Sequence, residues 1–273
     1  MEFGENYKNA GMKEGIQGSD NFLDRNWFIF NLRNRSVAIL APMPPLDIDS
    51  AVLIKFGAKW KENDGRLSRS PPFSSLELGN YIDDTIAKSL SQMLGGIPIL
   101  TPSSREALVP PEPDCVELRN IRIVGGVRPQ NFDVCYRPDG VRFASDSKTL
   151  NDTDSVRKNW QNMINDLATE ATTVHTRFPF AVVAFIVACP EPSVGDPQRK
   201  AMIETLERLG GRMGIDDPPH MAEAISFILW NPDNGEIDKQ NPAPHSPLRI
   251  ELFSKFVETS YVNRYKGLPP HVE

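Results

Sequence analysis

The chain of 273 residues carries 30 Lys or Arg against 36 Asp or Glu, a formal charge of −6, with 40% hydrophobic and 24% charged residues. Those proportions suit a folded protein with a substantial core and exclude a mostly disordered one. The acidic balance argues against a protein that merely coats nucleic acid, yet it leaves room for an enzyme that grips DNA locally.

No stretch approaches the roughly 20 apolar residues of a membrane helix. The longest apolar run, Ala181 to Cys189, is strand-length. The opening MEFGENYKNAGMKEG lacks the apolar block of a secretory signal. The three cysteines, Cys115, Cys135 and Cys189, are odd in number and form no CxxC pair. The expectation is a cytoplasmic protein with no membrane contact, no disulfide framework and no cysteine zinc site.

In chain order, residues 1–20 read as a loose terminus and Asn21 to Ser36 as an amphipathic helix. Asp47 opens a helix through Trp60, with Ile48, Val52, Phe56 and Trp60 on one stripe. After the polar loop 61–72, Leu78, Ile82, Ile86 and Leu90 at four-residue spacing predict a helix from Ser75 to Leu94, stopped by Gly95-Gly96. Strands follow at Glu117–Val124 and Asn131–Tyr136. The tight turn RPDG (137–140) leads into a third strand, Val141–Lys148. Asp154 opens a long helix to Thr176, and FAVVAFIVAC reads as a fully buried central strand. A helix over Gln198–Arg212, a strand over Ile225–Trp230 and a helix over Pro247–Tyr265 complete the set. This order implies an α/β fold, a mixed sheet flanked by helices.

The chemistry concentrates in 131–148. Side chains alternate across a strand, so Asp146 and Lys148 share a face, and the turn brings Asp133 alongside. Lys148 is the one lysine in the sequence with an acidic residue two positions before it. Two converging carboxylates need a counter-ion when desolvated, and a hard cation such as Mg²⁺ serves. The Ser147 peptide carbonyl offers a further oxygen. Such a metal lowers the pKa of bound water and stabilises charge on a phosphoryl oxygen, while Lys148 adds a preorganised positive group. The set suits phosphodiester hydrolysis.

Asp133, the interval to Asp146 and the triplet Asp146-Ser147-Lys148 resemble the signature of the PD-(D/E)XK nuclease superfamily. The stretch SDSKTLNDTDSVRKNWQNMINDLATEA, followed by FPFAVVAFIVAC, is similar to restriction endonucleases of that superfamily. The likeness covers about residues 74–190. It implies a restriction-endonuclease-like mixed sheet, with a helical N-terminal region over 1–72 and a nuclease domain over 73–273. It implies an enzyme, a Mg²⁺-dependent type II restriction endonuclease acting on double-stranded DNA, with a homodimer for a palindromic target. Asp133 and Asp146 then hold the metal and Lys148 assists the attacking water. The acid that the family often carries on the preceding helix falls on Glu77, with Asp83 and Asp84 behind it. The chain departs from the pattern in two ways. Phe132 rather than proline precedes the first acid, and Asp146 stands where Glu is commoner. The literal Pro138-Asp139 pair sits in the turn as a decoy. The alternatives are a repair, recombination or phage-defence nuclease, or a catalytically inactive DNA-binding module of the same fold.

Basic residues cluster at Lys55, Lys59, Lys61, Arg66 and Arg69, and again at Arg119, Arg122, Arg128, Arg137 and Arg142. They read either as contacts to DNA phosphates or as a solvated face offset by Glu62, Asp64, Glu117 and Asp139. Arg142 and the helix-opening Arg157, Lys158 and Asn159 are the DNA-contact candidates. The four histidines, at 175, 220, 245 and 271, have no metal-site spacing. None of the Gly-Gly pairs is followed by the Lys-Ser/Thr of a phosphate loop.

Overall fold

The computed structural model describes residues 40–271. The expected loose terminus and the helix over 21–36 lie outside them.

Six strands form one sheet in sequence order: β1 (Ile99–Leu100), β2 (Val116–Val124), β3 (Pro129–Tyr136), β4 (Phe143–Thr149), β5 (Val182–Pro190) and β6 (Ala224–Trp230). β2, β3 and β4 run antiparallel in turn, β4, β5 and β6 run parallel, and β1 is parallel to β2. The fold is α/β with a mixed sheet flanked by helices. β5, which reads as a continuous apolar run, and β6 are buried at every residue because helices cover both faces.

On one face lie α1 (Ser50–Glu62), α2 (Ser75–Met93) and α5 (Ile250–Tyr265), with Leu53, Phe56, Ile82, Ile86, Phe253 and Val257 packed against Phe143, Val182 and Ile186. α1 shares this core, so residues 50–62 pack as part of the same body as the sheet. On the other face lie α3 (Thr153–Arg177) and α4 (Asp196–Leu209), with Leu167, Ala171, Val174 and Met202 against Ala144, Val183 and Phe185.

Local chemistry sets the helix ends. Asp49 caps α1 by accepting from the Ala51 amide at 2.8 Å, and Asp152 caps α3 by accepting from Asp154 at 3.0 Å. Ser74 and Glu77 form a reciprocal capping box on α2. Gly210 ends α4 at Leu209, three residues short of the expected Arg212, which turns back to accept a place in a buried ion network. Among the described residues, no helix is long and apolar enough to cross a membrane.

Candidate active site at the fork of β3 and β4

β3 and β4 pair over only three residues, from Tyr136↔Phe143 to Val134↔Ser145. Beyond that point β4 stays paired with β5 as far as Thr149, and β3 stays paired with β2 back to Pro129. The sheet therefore forks, and Asp133 and Asp146 are the first residue on each prong. Strand alternation puts Asp146 and Lys148 on the face of Ala144, toward α3. Asp83 reaches the fork from α2 on the other side of the sheet, where the Ser147 hydroxyl lies beside it.

The hairpin prong is tied to α3. The Gly126 amide donates to Thr173 O at 2.8 Å and Arg177 Nη1 donates to Val124 O at 2.7 Å. A Cβ on Gly125 would stand 2.3 Å from Thr173 O, so only glycine permits this approach. In β2 a bulge at Arg119 and Asn120, with φ of 72° and 55°, breaks the register between Leu118 and Ile121 and bends the prong.

Within the fork, Lys148 Nζ donates to Asp146 Oδ2 and, at 3.0 Å, to Glu170 Oε1 of α3. Gln130 Nε2 donates to the same Glu170 oxygen at 3.0 Å. Asp83 Oδ1 and Glu170 Oε2 are buried without a hydrogen-bond partner. The Lys148 side chain keeps 25% of its surface exposed, so the fork opens to solvent.

Electrostatics follow from crowding acids in low dielectric. Asp133 is pushed up to about 9 by burial, by the Asp146 charge, and by a hydrogen bond to Asp146 that a protonated carboxyl makes. Glu170 is pushed up to about 8 by burial and by Asp146, against the pull of Lys148. Asp83 rises to about 7, chiefly through burial, although Ser147 and Arg119 pull it down. Burial alone would lower the Lys148 ammonium. The charges of Asp146 and Glu170 outweigh that and hold it above the ordinary lysine value.

These donors suit Mg²⁺ in kind, being hard carboxylate oxygens of which two lack any partner. Among the described residues, however, no three His, Cys, Asp or Glu groups stand gathered about one point for a metal. The Lys148 ammonium instead takes the space between Asp146 and Glu170.

The sequence-expected residues divide. Asp133, Asp146, Ser147 and Lys148 meet at the fork. Glu77 does not, because its Oε2 accepts from the Ser74 amide at 2.8 Å and closes the capping box; the α2 acid at the fork is Asp83, nearly two turns on. Arg142 is unavailable to DNA. Its buried guanidinium donates to Asp139 at 2.8 and 2.5 Å and to Pro269 O, and it stacks over Tyr265. That same contact holds the Pro138-Asp139 decoy in the turn. Arg137 likewise spends itself on Glu117 through two bonds of 2.6 Å. Lys158 and Asn159 are exposed on the first turns of α3, while the Arg157 side chain lies outside the described residues.

Glu170 and Gln130 escaped the sequence reading. A signal for Glu170 exists, since it interrupts the buried stripe Leu167, Ala171, Val174 on α3, where a lone acid needs a buried partner. Comparison with family models, with curated proteins and with solved structures finds no match to the chain.

Proposed function

We propose that this protein is a Mg²⁺-dependent endonuclease of the PD-(D/E)XK type, with a restriction-endonuclease-like sheet, hydrolysing phosphodiester bonds of double-stranded DNA. The observation that carries the reading is the meeting of Asp133, Asp146 and Lys148 on the two prongs of one forked sheet, with Asp83 and Glu170 closing the cluster. Discrete cutting at a short site makes it a type II restriction enzyme, and a palindromic site requires a twofold homodimer with one fork for each strand.

Asp133 and Asp146 would hold the metal, with Asp83 behind them. When bound, the metal supplies Lewis-acid stabilisation of phosphoryl charge and a more acidic water. The chain's own groups do the rest. Because Lys148 is held as an ammonium, its role is to donate hydrogen bonds and fix positive charge beside a phosphate oxygen rather than to take a proton. Glu170 and Gln130 fix where that ammonium stands.

Plasmid incubated with the protein and Mg²⁺ gives discrete fragments. Asp146→Ala and Lys148→Ala each lose at least 100-fold in cleavage rate, on the order expected for removing a preorganised charge, with circular dichroism unchanged. Full cleavage by both variants refutes the mechanism. Smeared or branch-selective products move the assignment to repair or defence nucleases.

A further inference from the structure

β4, β5 and β6 are parallel, and Lys148, Val187 and Phe227 sit at one level of the sheet. Asn231, just past β6, is four residues further toward the same carboxyl end. Two strand spacings of about 4.8 Å and four rises of about 3.3 Å place it roughly 16 Å from Lys148. The segment 231–241 that follows borders a polar cleft lined by Glu191, Asn231, Asn234, Glu236, Lys239 and Gln240 among others.

This loop is rigidly built. Asn231 Oδ1 accepts from the Asp233 amide at 2.8 Å, and Asp238 Oδ1 accepts from the Gln240 and Asn241 amides at 2.7 and 3.1 Å. Arg249 Nη1 donates to Asp238 O at 2.8 Å and to Pro242 O at 3.3 Å. Gly57 of α1 lies hard against Pro232, and Gly235, with φ of 69°, lies hard against Ser50.

The loop's acids each have a partner. Asp233 pairs with Lys61, Asp238 faces its own turn and Asn241, and Glu236 takes the Asn234 amide at 3.4 Å. Asp233, Asn234 and Glu236 stay exposed with those partners, and beside them stand an adjacent ammonium and carboxamide. Lys239 and Gln240 are exposed, and neither side chain makes a hydrogen bond or ion pair among the described residues. Beyond Gln240 a second cleft of mixed charge continues along α4, where Arg199 pairs with Asp196 and Lys200 with Glu204.

We propose that the 231–241 loop reads base edges in the major groove of duplex DNA, with Lys239 and Gln240 as specificity-determining residues. The inference rests on the nuclease reading and extends it. Lysine offers donors to guanine O6 and N7, and a glutamine carboxamide matches adenine N6 and N7 in two bonds. The Asp238 amide donates to Leu229 O at 2.8 Å, so Asp238 lies one spacing outside β6 and two residues above the level of Lys148. Three spacings of about 4.8 Å and two rises of about 3.3 Å put it roughly 16 Å from Lys148, about five base steps at about 3.4 Å each from the phosphate at the fork. The rigid backbone matters because a preformed loop loses little entropy on docking.

The test is selection from a pool of duplexes with a randomised centre, in Ca²⁺, by the full chain and by the double variant Lys239→Ala/Gln240→Ala. The parent is expected to enrich a short motif. The variant is expected to relax one or two positions of it by roughly 5- to 150-fold each, the discrimination carried by such base contacts. Thermal unfolding of the variant should match the parent's, so that lost folding is not mistaken for lost reading. A variant that enriches the parent's motif with unchanged ratios overturns the proposal, and so does a parent that enriches none. Relaxed selection with no parental cleavage in Mg²⁺ keeps the reading loop and removes the nuclease. Cleavage lost in Asp146→Ala but selection unaltered in the loop variant does the reverse.

Discussion

Replacing glycine by alanine inside a helix ordinarily stabilises by about 1 kcal/mol, because glycine loses more backbone freedom on folding. α1 and α2 give that one substitution opposite signs. At Gly79 an added Cβ meets nothing within 4 Å, so Gly79→Ala gains the full propensity term. At Gly57 the Cβ would stand 2.0 Å from Pro232 O and 2.7 Å from the carbons beside it, about 1.4 Å short of an ordinary contact. The obstacle is backbone, pinned by the loop that follows β6, and no side chain can swing away. Overpacking of this kind costs roughly 1–3 kcal/mol, toward the upper end for a rigid neighbour. After the helix gain is subtracted, Gly57→Ala loses roughly 1–2 kcal/mol. At roughly 2–4 °C per kcal/mol for a chain of this size, Gly79→Ala raises Tm by about 2–4 °C and Gly57→Ala lowers it by about 2–8 °C. Thermal unfolding followed by circular dichroism at 222 nm measures both. Shifts of the same sign refute the close packing of α1 on Pro232.

The remaining expectations concern buried charge. In the metal-free protein Asp133, Glu170 and Asp83 keep their protons to about 9, 8 and 7, whereas the unfolded chain releases them near 4. The folded state then binds more protons between those values, so stability falls as pH rises from about 5 toward 9. Mg²⁺ opposes that fall, and its thermal shift grows with pH in the parent; a shift that is flat with pH in a titration by differential scanning fluorimetry counts against the acidic cluster. Away from the fork, the buried Glu223 carboxylate accepts from Arg212 and Arg264 at 2.8 Å each and from the Val183 amide at 2.7 Å, with His175 Nε2 at 3.2 Å. Glu223→Gln strands two guanidinium groups and should cost roughly 3–5 kcal/mol, visible as a lower urea midpoint. Burial pushes Glu223 up, but the His175 bond and the His175 and Arg264 charges hold its pKa below the ordinary value. Its contribution is therefore complete above the unfolded pKa and lost as pH falls through the folded one, so the variant loses part of the parent's acid-unfolding limb. An unchanged urea midpoint and acid limb would count against this network.

Much of the scaffold was legible because its signals are local. The 3.6-residue stripes gave α1, α2 and α3, the apolar run gave β5, and period-two alternation put Asp146 and Lys148 on one face. The misreadings share a cause, namely that a charged side chain announces its type and not its partner. Glu77 carries the capping-box spacing from Ser74, and local hydrogen bonding claims it before any distant site can. Arg142 looks like a DNA contact by charge, yet Asp139 and Tyr265 absorb it. For Arg137 the sequence left open a DNA contact or an offsetting acid, and Glu117 pairs with it.

By itself the sequence determined most of the helices and strands, though not the two-residue β1, together with the shared face of Asp146 and Lys148 and the place of Asp133 one hairpin away. Only the tertiary structure decided that β3 and β4 part after three pairs, that Asp83 and Glu170 arrive at the gap from opposite faces, and that Gln130 shares an oxygen with Lys148. Strand and helix periodicities are written in neighbours a few residues apart. Convergence across 22 residues from Lys148 to Glu170 depends instead on how a helix crosses a twisted sheet, which the packing of the two cores sets.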